Sequence, residues 1–160
     1  MNTRQVRPHY EKDTGGIDEV VVEINRISRT VKGGRRIRFR ATVVVGDRNG
    51  RVGLGVAKAA EVQVAVQKAN TTAKKNMIKV PIVNGTIPIQ TIGNHGSARV
   101  ILKPAKEGTS LIAGGSIRSL LELSGIKNIV TKSLGSSNKI NNILATLNAF
   151  ERISVNTEEE

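Results

Sequence analysis

Ten lysines and arginines lie between Arg26 and Lys58, with one acid, Asp47, among them. The centre of that stretch reads Val31-Lys32-Gly33-Gly34-Arg35-Arg36-Ile37-Arg38-Phe39-Arg40. Cations at this density suit one task above others, the neutralisation of a polyanion. The period of a strand sends Arg36, Arg38, Arg40 and Thr42 to one face. Arg35, Ile37, Phe39, Ala41, Val43 and Val45 go to the other. The glycine pair lets backbone N–H groups approach phosphate, with flanking cations to neutralise it. A plain hairpin corner with solvated charges is the competing account. Long cations standing side by side repel one another unless an anion lies among them, which favours binding. The residues assigned to a nucleic acid on these grounds are Arg26, Arg29, Thr30, Lys32, Gly33, Gly34, Arg35, Arg36, Arg38, Arg40, Arg51, Gly53, Gly55 and Lys58.

Other chemistries find few parts. The chain has no cysteine, which removes disulfides, thiolate metal sites and cysteine nucleophiles. His95, in Ile92-Gly93-Asn94-His95-Gly96, has no Asp, Glu or Cys at ligand or triad spacing and reads as a loop histidine. No pair of carboxylates sits in an apolar setting suited to general acid–base work. Gly53-Leu54-Gly55-Val56-Ala57-Lys58 lacks the third glycine of a dinucleotide loop, and no Gly-x-x-x-x-Gly-Lys-Ser/Thr is present. Its bare glycines admit two accounts, approach of RNA or protein backbone from outside, or packing of a helix. Ala113-Gly114-Gly115-Ser116 at a helix start reads as an ordinary cap, with phosphate binding the less favoured account. No enzyme activity, cofactor or metal is expected.

The charge is unevenly placed. Residues 1–80 hold 17 basic and 7 acidic side chains, and residues 81–160 hold 8 and 6, within a total of +12. Tyr10, Phe39 and Phe150 are the only aromatics, and there is no tryptophan, so base stacking on aromatic platforms is disfavoured against backbone and shape recognition. The first residues contain no apolar run of signal-peptide type, and no stretch approaches the ~18 apolar residues of a membrane span. A cytoplasmic protein is the expectation.

The elements that must hold the basic stretch follow from periodicity. Residues 1–16 read as a flexible arm, Val20 to Ile24 as a strand, and Thr30 to Gly34 as a loop. Arg35 to Val45 is a second strand and Gly46 to Gly50 a hairpin turn with Asn49-Gly50 at positive φ. A third strand, Arg51 to Ala57, buries Val52, Leu54 and Val56 and turns Gly53 and Gly55 outward. Glu61 to Met77 is a helix with Val62, Ala65, Val66, Ala69 and Ala73 as its apolar stripe. The expected class is α+β in two small units: residues 17–78, three strands and a helix, and residues 79–152. Met77 to Val80 reads as the hinge between them. In the second unit, strands are predicted over Lys79–Val83, Thr86–Ile92, Ala98–Lys103 and Ile126–Lys132. Helices are predicted from Ser116 to Gly125, and from Ser137 or Asn138 onward. Residues 153–160 read as a disordered acidic tail.

With these residues laid out, the chain resembles bacterial small-subunit ribosomal protein five from about Val20 to Phe150. The segments that carry the likeness are Asn25 to Arg35, Val44-Val45-Gly46-Asp47, Asn49 to Gly53, and Glu61-Val62 leading to Ala65-Val66-Gln67-Lys68-Ala69. Further on they are Pro104-Ala105, Glu107-Gly108-Thr109, Ile112 to Gly115, and Gly135-Ser136-Ser137-Asn138. The resemblance implies an N-terminal domain similar to a double-stranded-RNA-binding fold and a left-handed βαβ C-terminal domain. Implied partners are small-subunit ribosomal RNA, ribosomal proteins four and eight, and messenger RNA where it enters the subunit. The Thr30 to Gly34 loop would reach toward the head–neck region. Lys103, Pro104, Ala105, Glu107, Gly108, Gly114 and Gly115 would face the protein neighbour whose interface affects decoding accuracy. The chain departs from the family pattern at Ala57, where the family has glycine, and at Lys139, where it often has proline. Two rival functions remain, a free-standing double-stranded-RNA-binding regulator or chaperone, and a phosphotransferase.

Overall fold

The computed structural model describes residues 10–12 and 16–158. Twelve elements follow one another: β1 Tyr10–Lys12, β2 Asp18–Val31, β3 Gly34–Gly46, β4 Arg51–Ala59, α1 Val62–Lys75, β5 Met77–Lys79, β6 Thr91–His95, β7 Ala98–Pro104, β8 Leu111–Ile112, α2 Gly115–Ser124, β9 Ile129–Gly135 and α3 Lys139–Glu158. They form a five-stranded sheet in the order β1-β2-β3-β4-β5 and a four-stranded sheet in the order β6-β7-β9-β8. The parallel pair β8–β9 is joined through α2, a βαβ connection; the other pairs of the second sheet are antiparallel. The class is α+β.

The first sheet is covered on both faces. On one lies α1, whose Ala65, Ala69 and Ala73 are buried with Ala41, Val43, Val45 and Ala59. Small side chains let the helix come close. Gly53 and Gly55 let it come closer: a Cβ on Gly55 would strike the Ala69 carbonyl and lie 2.7 Å from Ala73 N. The outward glycines expected from the sequence are therefore corrected. Gly53 and Gly55 are buried beneath α1, and what approaches them is the chain's own helix. Val56, expected in the core, is 36% exposed: it shares a face with buried Val52 and Leu54, but lies nearer exposed Lys58 and half-buried Arg40, beyond the cluster that takes in Leu54.

On the other face Val20, Val44, Val52 and Leu54 join Ile117, Leu120, Leu121 and Leu123 of α2 in one cluster that continues to α3 and the second sheet. Each large aliphatic side chain buried there contributes about 1.5–3 kcal/mol. The two halves thus share a core. The expected hinge at Met77–Val80 is instead β5, paired with β4 through Gly53↔Met77 and Val52↔Ile78.

Other boundaries shift for local reasons. Strand Lys79–Val83 and the first part of Thr86–Ile92 do not form. Pro81 and Pro88 offer no ladder donor, and Asn84 and Gly85 turn the chain at φ 50° and 74° between an isolated Val83↔Thr86 bridge. In the β3–β4 connection, positive φ falls at Arg48 (56°) and Gly50 (93°), not at Asn49. Asp47 Oδ1 accepts the Asn49 and Arg51 N–H groups at 2.7 and 2.9 Å, and the loop's Arg48 and Gly50 N–H groups donate to Leu123 O and Ser124 O at the end of α2. Gly114, with no side-chain bond, caps α2 in place of the expected Ser116; Gly125 ends it at φ 88°. Asn138 caps α3 as its Oδ1 accepts the Ile140 N–H at 3.1 Å. The disordered tail expected at 153–160 is corrected as far as Glu158, through which α3 continues with Ile153 fully buried; residues 159 and 160 lie outside the described residues. The expected arm at 1–16 lies mostly outside the described residues; within it, Tyr10–Lys12 pairs with Asp18–Val20.

Candidate nucleic-acid interface

The basic stretch folds into a β-hairpin longer than the sheet that carries it. β2 and β3 pair from Asp18↔Gly46 to Val31↔Gly34, with a bulge between Val21 and Glu23. β4 accompanies β3 only as far as Phe39↔Ala59, and β1 accompanies β2 only from Asp18 to Val20. Ile27–Val31 and Gly34–Arg38 therefore project as a two-stranded ribbon about 17 Å long. The predicted loop from Thr30 to Gly34 shrinks to two residues, Lys32 and Gly33. Gly33 turns at φ 94°, where an L side chain would be strained, and nothing lies within 4 Å of it to limit approach.

Arg26 at the root and Arg29, Lys32, Arg35, Arg36 and Arg38 along the ribbon are all exposed, with no acid in the interval. None of the six has an ion-pair partner among the described residues. The register places Arg29 directly opposite Arg36 on one face, with Arg38 next along. Like charges facing each other across a ladder destabilise it, so the ribbon carries a repulsion that an anion would relieve. Charged side chains on edge strands also deter edge-to-edge aggregation.

The alternation read from the sequence is what the structure shows at Arg36 and Arg38. Arg40 differs. It is half-buried, its Nη2 lies 3.5 Å from Asn25 Oδ1, and its buried Nε has no partner among the described residues, so it belongs to the root of the ribbon and not to the open stripe. Lys58 stands exposed opposite Arg40 on β4. Thr30 and Gly34 lie at the tip beside Lys32 and Gly33. Arg51 is exposed but sits at the far end of the sheet, opposite Lys79, about 35 Å of strand from Arg36. It is not brought together with the ribbon, and buried Gly53 and Gly55 are not available to a partner.

Lys103, Pro104, Ala105, Glu107, Gly108, Gly114 and Gly115 surround the short edge strand β8, all exposed except half-buried Ala105. The loop is tethered: Ala105 N–H donates to Thr86 Oγ1 at 3.3 Å and Ser110 N–H to Asn128 Oδ1 at 3.1 Å. Sequence reasoning missed Arg99, which with Lys103 and Lys132 forms a mixed patch beside Ile92, 41% exposed, and Leu134, 39% exposed, on the outer face of the second sheet. The alternation of Ala98 to Lys103 was the available signal. Among the described residues there is no cluster of three or more potential metal ligands, and His95 ends β6. No helix among them is long and apolar enough to cross a membrane.

Fold and site together define an α+β protein with a projecting basic ribbon that has no ion-pair partner among the described residues. The family model for the N-terminal domain of ribosomal protein S5 matches residues 17–81, and that for its C-terminal domain matches residues 93–158. Small ribosomal subunit protein uS5 of Thermotoga neapolitana is 46% identical over 153 residues, covering 96% of this chain and 85% of its own length. Its counterpart in Ralstonia nicotianae is 47% identical over 156 residues, covering 96% and 91%. That of Thermotoga maritima is 49% identical over 136 residues, covering 85% and 76%. The chain belongs to the ribosomal protein S5 family.

Proposed function

We propose that this chain is a structural, non-enzymatic component of the small ribosomal subunit in the cytoplasm, and that its ribbon holds small-subunit ribosomal RNA by the phosphate backbone. The observation that carries the reading is a projecting ribbon with six exposed cations and, among the described residues, no ion-pair partner. Glycine at the tip, scarce aromatics and like charges facing across the ladder all support backbone contact over base stacking. The relatives, each a small ribosomal subunit protein, support the location.

The second half would meet neighbouring proteins. The exposed loop around β8, with Lys103, Glu107 and Gly108, would face ribosomal proteins four and eight, and the ribbon side would lie near the channel through which messenger RNA enters. A change at that protein interface would then alter decoding accuracy. Sedimentation tests the reading: wild-type chain is expected to travel with small subunits through a sucrose gradient. The Arg36→Glu/Arg38→Glu variant is expected to shift toward the top. Wild-type chain found only in soluble fractions would favour a free-standing RNA-binding regulator and overturn the assignment.

A further inference from the structure

The ribbon's cations do not share a face. Residues opposed in the register point the same way, and successive residues point opposite ways. Arg29, Arg36 and Arg38 therefore stand on one face, around half-buried Ile27. Arg26 and Arg35 stand on the other, separated by the Ser28↔Ile37 pair. The second face is shaped: Arg26, Ser28, Arg35 and Ile37 line an open cleft of about 280 Å³, in which 41% exposed Ile37 is the one apolar side chain of the four. β4 stops at the Phe39↔Ala59 pair and residues 34–38 are all exposed, so among the described residues nothing covers either face.

We infer that the ribbon is gripped between two separate phosphate-bearing RNA segments, one on each face, an inference that rests on the RNA-binding function proposed above. One strand laid along the Arg29–Arg36–Arg38 face would leave Arg26 and Arg35 unneutralised behind it. One duplex would not serve both faces. The major groove of an A-form helix is too deep and narrow for side chains to read, so the ribbon would have to lie against the outside of that helix with one face. A junction, where two backbones converge, fits both faces at once. The two faces also ask for different contacts. The first offers a row of guanidiniums to successive phosphates, and the second offers a cleft with Ser28 and Ile37 between two guanidiniums, suited to a sugar or base edge flanked by phosphates.

The absence of cysteine from the sequence makes the test clean. A short photo-crosslinker is attached to full-length chain carrying Arg35→Cys or Arg36→Cys, and each is irradiated in complex with purified small-subunit RNA. The two positions are neighbours in the chain but point to opposite faces. Arg35→Cys and Arg26→Cys are expected to mark one RNA segment, and Arg36→Cys and Arg38→Cys a different one. Thermal melts show that each labelled chain is folded. If Arg35→Cys and Arg36→Cys mark the same segment, or the two strands of one helix, the two-segment inference is overturned while RNA binding stands. If unlabelled wild-type chain fails to bind the RNA, the underlying function falls as well.

Discussion

Gly55→Ala separates two accounts of the glycines in β4. An added Cβ would strike the Ala69 carbonyl and lie 2.7 Å from Ala73 N and 2.8 Å from Ala69 C. Ordinary contact between such atoms needs ~3.5–4.0 Å. The obstacles are helix backbone, which no rotamer change can clear, so α1 must lift by about 1 Å from Val43, Val45 and Ala41. Overpacking costs typically 1–3 kcal/mol, and a rigid backbone clash belongs at the upper end, ~3 kcal/mol. At 2–4 °C per kcal/mol for a chain of this size, the thermal midpoint falls by ~6–12 °C. Circular dichroism melts would measure it, with Gly115→Ala as the control. Gly115 lies in the first turn of α2 with nothing within 4 Å, so alanine there is expected to be neutral or slightly stabilising. RNA affinity of Gly55→Ala at 25 °C, where the fold persists, should match wild type. An unchanged melt with weakened RNA binding would refute helix packing and return the glycine to an external partner.

Leu121 is fully buried at the meeting of α2 with the first sheet, so Leu121→Asp loses about 2–5 kcal/mol of packing and adds the desolvation of a carboxylate. The thermal midpoint should drop by more than ~10 °C, and both halves should melt together because they share that core. The Lys139–Glu23 pair, 3.1 Å apart and partly solvated, links the halves from outside, and Lys139→Ala should cost less than ~1 kcal/mol, with the difference from wild type disappearing in high salt. Arg51→Ala should weaken RNA binding less than Arg38→Ala in matched titrations, since Arg51 lies at the opposite end of the sheet.

The strands with one apolar face were legible because burial on one side imposes a period of two. Ala41, Val43 and Val45 announce their face in the sequence, and α1 announces its own through Ala65, Ala69 and Ala73. What was hidden is which surface covers which. Gly53 and Gly55 look bare in the sequence, and only the pairing of bare strand with an alanine stripe, a small surface matched to a smaller one, points to α1. The extension of β2 to Val31 left no pattern because both faces of the ribbon are in water, and Arg26, Ser28 and Thr30 alternate with Ile27, Arg29 and Val31 without a buried side. The shared core was hidden for a related reason. Val44 shares its strand face with Arg36 and Arg38, and its burial makes sense only once α2, more than seventy residues on, covers that end of the sheet.

The ribbon's role is tested most directly by the salt dependence of binding to small-subunit RNA. Six cations contacting phosphate give log affinity a slope of about −5 against log salt. The Arg36→Glu/Arg38→Glu variant, whose two side chains are exposed and whose new carboxylate at position 36 would face Arg29, should melt no lower than wild type and show a slope shallower by about 2. A wild-type slope near zero, or a variant that matches wild type in affinity and slope, would contradict the claim that these side chains hold RNA.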